Sequence, residues 1–411
     1  MPVESIVILN DFCHVQGGAS RVAVDEAVAL HQLGMDVTFV GASGPVCADL
    51  RDGGVRTLCL DQPELADARR HPTVLAQTLW NNPAYRTVVD LLSRHDPGRT
   101  MVHLHGYTKA LTATPALAAR RGGFPAVCTL HDFFAACPNG AFYDYRRQEP
   151  CKLRAMSASC ALTNCDKRHP AHKAYRVLRG VAQRHVARFP RSVRDYITLS
   201  LRSAALLRPY LPKDARFHPL GNIIDVPHQP PVNVARNMAL MVVGRLDAEK
   251  GVVLAAQAAQ RARVPIVFVG DGPCRPAVES TGARVTGWLS ADGVQRELNA
   301  ARCLVFSSLW YETYGLVVAE AAARGVPAIV SDIAAPAERI SDGADGWVFR
   351  SGDLADLVRC MRLTHDDAAV AAAGAEAYRR HWKRPPTRQG HAAALVAIYE
   401  IVADRTRHGE T

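Results

Sequence analysis

Short apolar runs alternate with helix-spaced segments along most of the chain. Near the amino terminus the run SIVIL precedes RVAVDEAVALHQLG, in which apolar residues recur at helical spacing, and DVTFVGA follows as a second run. Two further runs, TMVHLH and PAVCTLH, come later, and from ALMVVG onward the succession of strand, loop, helix and strand starts again. Strands that alternate with helices form parallel sheets with helices on both faces. The pattern therefore predicts an α/β protein with two doubly wound, Rossmann-like domains.

The domain boundary falls in a stretch rich in Pro and polar residues, LPKDARFHPLGNIIDVPHQPPVNVARN. A chain of 411 residues is long enough for two domains. We predict an N-terminal domain over 1–210 with an insertion at about 137–194, and a linker over 211–235. A C-terminal domain is expected over 236–380, and a terminal helix over 381–411 is expected to pack back on the N-terminal domain.

The most informative stretch is LVFSSLWYETYGLVVAEAAARGVP, from Leu304 to Pro327. It predicts a short strand, a polar loop with Glu312, and a helix that begins near Gly315 and carries Glu320. Such a helix directs its first N–H groups at the crevice where parallel sheets bind ligands. Amides for a diphosphate and carboxylates for sugar hydroxyls would suit a nucleotide-sugar. A solvated loop glutamate and an exposed helix glutamate would fit this stretch equally well.

Two cations lie in the polar loop RLDAEKG that follows the run ALMVVG. Arg245 and Lys250 bracket this loop next to the start of a predicted helix. Two cations and a helix N-terminus together would bind a diphosphate. Exposed surface cations are the alternative, and the position at the carboxyl end of a strand favours binding.

The N-terminal half offers a glycine pair and three histidines at predicted strand ends. Gly17 and Gly18 lie at the first strand-to-helix turn, where glycine lets a phosphate or sugar approach the backbone. The pair does not complete a dinucleotide fingerprint, so NAD binding has weak support. His103, His105 and His131 are expected to face the crevice, although a lone histidine is more often structural.

The charge of the chain is concentrated in one segment. The formal net charge is +10, and thirteen basic and two acidic residues between Arg146 and Arg194 give that segment a charge of +11. Such a segment on a neutral body suggests an acidic partner: an anionic membrane, a phosphate-bearing substrate or nucleic acid. The aromatic residues of an RNA-binding motif are not interleaved here, which disfavours nucleic acid. The part HPAHKAYRVLRGVAQRHVARF predicts a basic amphipathic helix, either solvated or lying on anionic lipid.

Eleven cysteines and an amino terminus without a basic signal-peptide region argue against a disulfide framework and for a cytoplasmic protein. Four of the cysteines fall close together in the polar insertion: Cys137, Cys151, Cys160 and Cys165. Four thiolates could bind a structural zinc ion that folds this segment. Their spacings are not those of a zinc ribbon, so an iron–sulfur cluster, transient disulfides and free thiols remain alternatives. No apolar run is long enough to span a bilayer.

Several motifs in one order resemble the retaining glycosyltransferases of family four. These are GRLDAEKG, VGDGP, GWLS and YETYGLVVAEAAARGVP in the C-terminal half, with GGAS, HLHGYTKAL and TLHDFFAACPNG in the N-terminal half. The similarity covers most of the chain and is more specific in the C-terminal half. It implies a GT-B fold, in which two Rossmann-like domains face each other across a cleft. The cysteine-containing insertion resembles one found in a subset of bacterial members.

The resemblance also implies roles for residues of the donor site. It places Arg245 and Lys250 on the donor diphosphate, Glu312 on the transferred sugar and Glu320 on the ribose. The remaining residues implied to lie near the donor are Gly17, Gly18, His131, Gly315 and Leu316. Two residues depart from the family pattern: Tyr314 replaces the usual Phe, and Ser20 stands where many members have an acid.

The implied function is transfer of a sugar from a UDP- or GDP-sugar to a glycan or lipid-linked acceptor of the cell envelope, with retention of configuration. No cofactor is expected to be required for catalysis. The enzyme is expected in the cytoplasm, with peripheral contact to the cytoplasmic face of an anionic membrane. Two alternatives remain: another GT-B enzyme, such as a nucleotide-sugar epimerase, and a non-catalytic nucleotide-sugar-binding protein.

Overall fold

A computed structural model describes residues 2–64 and 73–409 of the chain. The chain forms two compact units. Unit 1 comprises Met1–Ala141, Leu153–Ile223 and Pro386–Thr411, and unit 2 comprises Phe142–Lys152 and Ile224–Pro385. Each unit contains its own parallel sheet.

The strands of unit 1 form one sheet of seven strands in the order β3-β2-β1-β4-β5-β8-β9, with every neighbouring pair parallel. The strands from the amino terminus to residue 219 are β1 (Ser5–Phe12), β2 (Asp36–Ser43), β3 (Arg56–Cys59), β4 (Thr100–Leu104), β5 (Ala126–Thr129), the hairpin strands β6 (Tyr143–Asp144) and β7 (Glu149–Pro150), β8 (Asp195–Thr198) and β9 (Arg216–Pro219). The hairpin pairs antiparallel and belongs to unit 2. Successive strands are added on one side of β1 up to β3 and on its other side from β4 onward, so the strand order reverses between β1 and β4.

The strands of unit 2 form a six-stranded sheet in the order β12-β11-β10-β13-β14-β15, also parallel throughout. They are β10 (Ala239–Val243), β11 (Ile266–Val269), β12 (Arg284–Val285), β13 (Ala301–Phe306), β14 (Ala328–Ser331) and β15 (Gly346–Phe349). The reversal lies between β10 and β13. This is the doubly wound order of dinucleotide-binding domains, and it confirms the predicted fold class of two Rossmann-like domains.

Helices connect the strands of both sheets. They are α1 (Gly18–Gln32), α2 (Ala48–Asp52), α3 (Thr73–Gln77), α4 (Asn82–Leu92), α5 (Thr114–Arg121), α6 (Ala158–Leu162), α7 (Pro170–His185), α8 (Leu201–Leu207), α9 (Val252–Ala262), α10 (Arg275–Glu279), α11 (Ala291–Asn299), α12 (Leu316–Ala323), α13 (Leu354–Leu363), α14 (Asp367–Lys383) and α15 (Arg388–Arg407). Among the described residues, no helix is both long and apolar enough to cross a membrane.

The structure places the domain boundary later than the sequence does. The predicted linker over 211–235 contains β9, whose pairing with β8 makes it the last strand of the first sheet. The chain passes between the units at four places, and the one in the region of the predicted linker lies between Ile223 and Ile224, both buried. The Pro-rich composition concealed a short edge strand, which tolerates proline because one side of it is unpaired.

The carboxyl-terminal helix belongs to unit 1. The helix α15 packs against α1, and its buried face includes Leu395, Tyr399 and Val402. The helix begins at Arg388 rather than at residue 381, since α14 continues through Lys383 and Pro385 and Pro386 separate the two. Proline cannot continue a helix because it lacks an amide N–H.

The predicted basic amphipathic helix is α7, but its cations do not form one exposed face. Arg179 is 8% exposed, donates to the carbonyl of Thr108 at 2.7 Å and lies over the ring of Phe134. Arg176 pairs with the buried carboxylate of Asp166 at 3.3 Å. These two arginines therefore stabilise the packing of unit 1 and are not available to a membrane.

Candidate functional site

The strand reversal of the second sheet brings the predicted donor residues to one edge. β10 and β13 are parallel neighbours, so the loops after their carboxyl ends lie side by side. The first loop carries Arg245 and Lys250, and the second carries Glu312. Open parallel sheets bind ligands outside the carboxyl ends of their strands at such a reversal.

A glycine fixes how closely these two loops approach. Gly251 precedes α9 with a φ of 65°, in the left-handed region, and a Cβ there would overlap the carbonyl oxygen of Ser307. Ser307 Oγ in turn donates to the carbonyl of Lys250 at 2.9 Å. Glycine alone permits both the conformation and the close approach. The two loops consequently pack as a single surface.

Lys250 and Glu312 form the central ion pair of this surface. The ammonium lies 2.5 Å from Glu312 Oε1, which also accepts from Trp310 Nε1 at 2.7 Å and Ser308 Oγ at 2.9 Å. Burial acts to raise the pKa of Glu312, but Lys250 and the two other donors outweigh it and lower that pKa below its usual value. Glu312 is therefore a charged carboxylate with its orientation fixed by three donors.

Arg245 is anchored to its own loop. Its Nη1 lies 2.5 Å from the carboxylate of Asp247, and its Nη2 lies 3.9 Å from that of Glu249. The guanidinium side chain is 55% exposed, whereas both carboxylates are buried. The two acids thus orient a cation whose outer part reaches solvent.

The N-terminus of α12 lies after β13, as predicted. Gly315 caps the helix with a φ of 75°, and Leu316 is the first helical residue. Arg339 Nη2 donates to the carbonyl of Tyr314 at 2.7 Å, and the guanidinium carbon lies 4.1 Å from the centre of the Tyr314 ring. The first amides of a helix point out of its N-terminal end. Because glycine has no side chain, the cap residue Gly315 offers these amides no side-chain acceptor.

Glu320 lies further along α12 in a different electrostatic environment. Burial raises the pKa of Glu320, whereas the pKa of Glu312 is lowered. The side chain is half-buried on the helix. The pKa values of the two carboxylates are thus shifted in opposite directions. Among the hydrogen bonds of the described residues, none joins Glu312 to Glu320 as an acid–base pair.

The predicted glycine pair lies in unit 1, at the start of α1. Gly17 has a φ of 143° and precedes the helix, which begins at Gly18, and both residues are exposed. A Cβ added at Gly17 would meet nothing within 4 Å, so backbone conformation rather than crowding demands this glycine. The amino end of α1 is open to solvent.

The three predicted histidines form one network in unit 1, but two of them are buried in the core. His131 Nε2 lies 2.9 Å from His105 Nδ1, and His105 Nε2 lies 3.2 Å from His103 Nδ1. His103 is 0% and His105 2% exposed, so the prediction that these two face the crevice is wrong. Only His131, partly exposed, reaches the surface among the three.

A carboxylate that the sequence analysis did not single out lies at the centre of this network. Glu26 on α1 accepts from His391 Nε2 at 2.9 Å through Oε1, and its Oε2 lies 3.3 Å from His105 Nε2. Burial opposes its charge, but His105 and His391 hold the pKa of Glu26 well below its usual value. The available signal was a charged residue at a core-facing position of α1.

The other histidines of the network are neutral. Burial lowers the pKa of His103 well below its usual value and, together with His105, lowers the pKa of His131 to about 3. His103 also contacts Tyr399 and Thr129 through 2.7 Å hydrogen bonds. A neutral imidazole donates a hydrogen bond through one ring nitrogen and accepts one through the other.

The segment after β4, which includes Lys109, forms a loop and not a helix. The carboxylate of Asp11 accepts four backbone N–H bonds of 2.8–3.0 Å, from the amides of Thr108, Lys109, Ala110 and Leu111. These bonds replace helical ones, and α5 begins only at Thr114. Asp11 therefore shapes the loop at the reversal of the first sheet.

The four clustered cysteines do not assemble into a metal centre in this structure. Within residues 2–64 and 73–409, the one group of three metal-ligand side chains that converge within 4.8 Å is Glu26, His103 and His105. The ammonium of buried Lys173 lies 3.2 Å from Cys165 Sγ and 3.6 Å from Cys160 Sγ. Cys151 belongs to the hairpin segment of unit 2 and the other three cysteines belong to unit 1. Metal binding by Cys137, Cys151, Cys160 and Cys165 stays a prediction.

Two Rossmann-like units with parallel sheets agree with the predicted GT-B fold, and solved structures of this fold align with the chain. The chain aligns over 97% of its length with Anabaena HepE crystallised with UDP and glucose (TM-score 0.66, 16% identity, 99% of that chain). It aligns over the same share with sucrose-phosphate synthase from Thermosynechococcus elongatus (TM-score 0.67, 16% identity, 99% of that chain).

Residues 16–226 match the model of Glycosyltransferase Family 4, and residues 237–367 match that of Glycosyl transferases group 1. The first match spans just over half of the chain, and the protein belongs to glycosyltransferase family 4. The family that the sequence motifs resemble is thereby confirmed.

Two named relatives match different shares of the chain. The chain is 27% identical over 351 residues to 2-deoxystreptamine glucosyltransferase of Streptomyces kanamyceticus, covering 80% of this chain and 84% of that protein. It is 31% identical over 173 residues to glycogen synthase of Mycobacterium tuberculosis, covering 39% of this chain. That alignment spans only 42% of the glycogen synthase.

Proposed function

We propose that this glycosyltransferase moves a sugar from a nucleotide-sugar donor to a glycan or lipid-linked acceptor with retention of configuration. The observation that carries the proposal is the Lys250–Glu312 ion pair beside the N-terminus of α12, at the reversal of the second sheet. A cation, a fixed carboxylate and helix amides in one place suit a ligand that joins a diphosphate to a polyol.

In this proposal the donor diphosphate lies against Arg245, Lys250 and the first amides of α12. Glu312 accepts from hydroxyls of the transferred sugar, because its carboxylate is charged and held by three donors. Glu320, further along the helix, accepts from the ribose hydroxyls. Tyr314 lies at the same helix end and contributes to the shape of the sugar pocket.

The proposed reaction exchanges one bond at the anomeric carbon for another. The bond between that carbon and the diphosphate oxygen breaks, and the acceptor hydroxyl oxygen bonds to the same face of the sugar. The acceptor proton passes to an oxygen of the departing diphosphate. Arg245, Lys250 and the end of α12 stabilise the charge that develops on that diphosphate, so catalysis requires no metal ion.

Unit 1 is proposed to serve the acceptor side of the reaction. His131 is assigned to the neighbourhood of the reacting sugar, where its neutral ring offers a hydrogen bond without adding charge. Gly17 and Gly18 are assigned to the neighbourhood of the phosphates because their backbone is exposed and carries no side chain.

The identity of the donor draws support from proteins of similar fold or sequence. HepE has been crystallised with UDP, with UDP-glucose and with UDP and glucose, and a relative is named a glucosyltransferase. We therefore favour a UDP-hexose, with a GDP-sugar as the second candidate. A cytoplasmic location, peripheral to the membrane that carries the acceptor, is part of the same proposal.

Native mass spectrometry and calorimetry with a panel of UDP- and GDP-sugars test the proposal directly. One nucleotide-sugar is expected to bind best, and its binding should weaken in Lys250→Ala but not in Arg261→Ala. Arg261 is an exposed arginine on α9 of the same unit and serves as the matched control. Conversion of the nucleotide-sugar to an isomer without any acceptor would instead identify an epimerase, and absence of binding across the panel would refute the donor site.

A further inference from the structure

A group of arginines in unit 1 has no part in the proposed transfer. We call Arg120, Arg184, Arg188, Arg191 and Arg194 the arginine cluster. Arg120 lies near the end of α5, and the other four lie at the end of α7 and in the segment that leads into β8. All five belong to unit 1.

Main-chain geometry holds two of these guanidinium groups together. The carbonyl oxygen of Arg191 accepts from Arg194 Nη1 at 2.6 Å and also from Arg120 Nη1. Two like charges that share one acceptor oxygen repel each other at short range. The backbone therefore orders the cations in an arrangement that electrostatics alone would disperse.

The arginine cluster lines two adjoining cavities, and Arg120, Arg191 and Arg194 also line a third, of about 300 Å³, whose lining includes Asp195. Of the first two, one has a volume of about 530 Å³, and its lining includes Arg184, Arg191 and Arg194 together with Tyr210 and Lys213. The other, of about 320 Å³, is lined by the five arginines and His185. None of the described residues that line these two cavities is acidic. The carboxylate of Asp214 pairs with Arg194 Nε at 2.6 Å but is itself 59% exposed.

Two other arginines of α7 have partners within unit 1 and differ in this from the exposed members of the arginine cluster. Arg176 pairs with buried Asp166, and Arg179 donates to a carbonyl and covers an aromatic ring. Arg188 and Arg191, by contrast, expose their side chains. Burial and, to a smaller extent, the charge of Arg191 lower the pKa of Arg184, yet an arginine stays protonated at neutral pH.

We propose that the arginine cluster is a binding pocket for a phosphate group. A phosphate presents several acceptor oxygens to guanidinium groups that bind it in bidentate geometry, and its charge offsets their repulsion. A carboxylate carries less charge and only two oxygens, so it matches five guanidinium groups less well. The phosphate comes either from a lipid headgroup, which would dock the enzyme on the membrane, or from a free phosphate ester.

The test uses the full chain, with Arg188→Gln/Arg191→Gln as the pocket variant and Arg86→Gln/Arg94→Gln as the control. Both pairs remove two exposed guanidinium groups from unit 1, and Arg86 and Arg94 lie outside both cavities. The Arg191 carbonyl remains in the variant because it belongs to the main chain. Circular dichroism and donor binding should be unchanged in both variants, which establishes that they fold.

The probes are inorganic phosphate, followed by calorimetry, and vesicles of phosphatidylglycerol in phosphatidylcholine, followed by sedimentation. We expect the native protein to bind at least one probe, and the pocket variant to bind it roughly tenfold more weakly than the control. Binding to phosphatidylglycerol vesicles without binding of phosphate assigns the site to a headgroup. Binding of phosphate alone assigns it to a soluble ester.

Two results would overturn the proposal. One is binding of neither probe by the native protein at low salt, where surface charge is least screened. The other is equal weakening in the pocket variant and in the control, which would show that binding follows net charge alone. Both results are independent of donor binding in unit 2, so neither bears on the proposed sugar transfer.

Discussion

The ammonium of Lys250 lies 2.5 Å from Oε1 of Glu312, although the two residues are 62 positions apart in the chain. The family resemblance implies that they contact different parts of the donor, the cation the diphosphate and the carboxylate the sugar. Under these proposed roles, their contact would bring those two parts of the donor next to each other. A nucleotide-sugar has this arrangement, because its anomeric carbon is bonded to the diphosphate itself.

Replacing Lys250 by Ala should weaken donor binding. The substitution removes a charge-assisted interaction worth about 1.5–3 kcal/mol, or roughly ten- to a hundredfold in Kd. The pKa of Glu312 should also rise, because its strongest counter-charge is gone while its burial remains. Calorimetric titration of the nucleotide-sugar measures the loss, with Arg261→Ala as the control. Unchanged affinity in Lys250→Ala would contradict the assignment.

The two carboxylates should separate in their effects on ligand binding. Glu312→Gln should reduce turnover and binding of the complete donor but spare binding of the bare nucleoside diphosphate, which has no sugar. Glu320→Gln should weaken binding of both ligands, because both contain the ribose. Titration of each variant with UDP and with the UDP-sugar measures the difference. Identical profiles for the two variants would show that the assigned division is wrong.

Acidic conditions should destabilise unit 1 through its buried network. The pKa of His131 is lowered from 6.5 to about 3, so the unfolded chain takes up this proton first and stability falls as the pH drops below about 6.5. The lowered pKa of Glu26 acts in the same direction at lower pH, because stability is lost as the carboxylate is protonated. Urea denaturation between pH 8 and pH 4 should show this decline.

Replacing Glu26 by Gln tests the same network at neutral pH. The variant loses the charge that orients His105 and His391, and we expect a loss of about 1–3 kcal/mol in the free energy of unfolding. Asp90→Asn removes an exposed carboxylate from α4 of the same unit and should have little effect. Equal stability of Glu26→Gln and the native protein in urea denaturation would show that the network contributes nothing.

Gly251 and Gly343 form a matched pair for testing the loop contact. Both have a left-handed backbone, with φ of 65° and 78°, but only at Gly251 would a Cβ overlap a neighbouring carbonyl. Gly343→Ala should cost about 1–2 kcal/mol from backbone strain alone. Gly251→Ala should cost more and should also weaken donor binding, because Ser307 must move. Thermal denaturation measures the loss of stability and titration measures donor binding. Equal losses of stability in the two variants would show that the contact between Gly251 and Ser307 does not restrict the side chain at position 251.

The cysteine cluster can be tested by elemental analysis of protein purified without added metal. If the predicted centre exists, about one zinc or iron per chain is expected, since four thiolates complete a single tetrahedral site. Cys160→Ser should lower that content, whereas Cys274→Ser, a cysteine of unit 2 outside the cluster, should leave it unchanged. Metal-free protein in which the four thiols are readily alkylated would contradict the predicted metal site.

Much of the donor site could be predicted from the sequence because its signals are local. A strand, a charged loop and a glycine-capped helix follow one another within a few residues around Arg245 and around Glu312. The doubly wound order then necessarily brings the two loops together, because β10 and β13 are neighbours. Trp310, Ser308 and Arg339 were missed, since nothing in their spacing shows which side chain will orient another.

The buried network could not be predicted in the same way. Glu26 and His391 are 365 positions apart, and no periodicity links a residue of the first helix to one of the last. The histidines at the ends of β4 and β5 were predicted to be functional, because polar residues at the carboxyl ends of parallel strands normally lie at the ligand-binding crevice. The helix α15 instead covers these strand ends, with Tyr399 in contact with His103, so His103 and His105 are buried in the core.

The helix α15 has a consequence for how the protein is made. Tyr399, Leu395 and Ala392 are fully buried in the core of unit 1, yet they follow the whole of unit 2 in the chain. Unit 1 begins its synthesis first and receives its final helix only after the whole of unit 2 has been translated. A fragment that stops at residue 223 would therefore lack part of its own core, and nascent unit 1 can complete its core only after unit 2 has been translated.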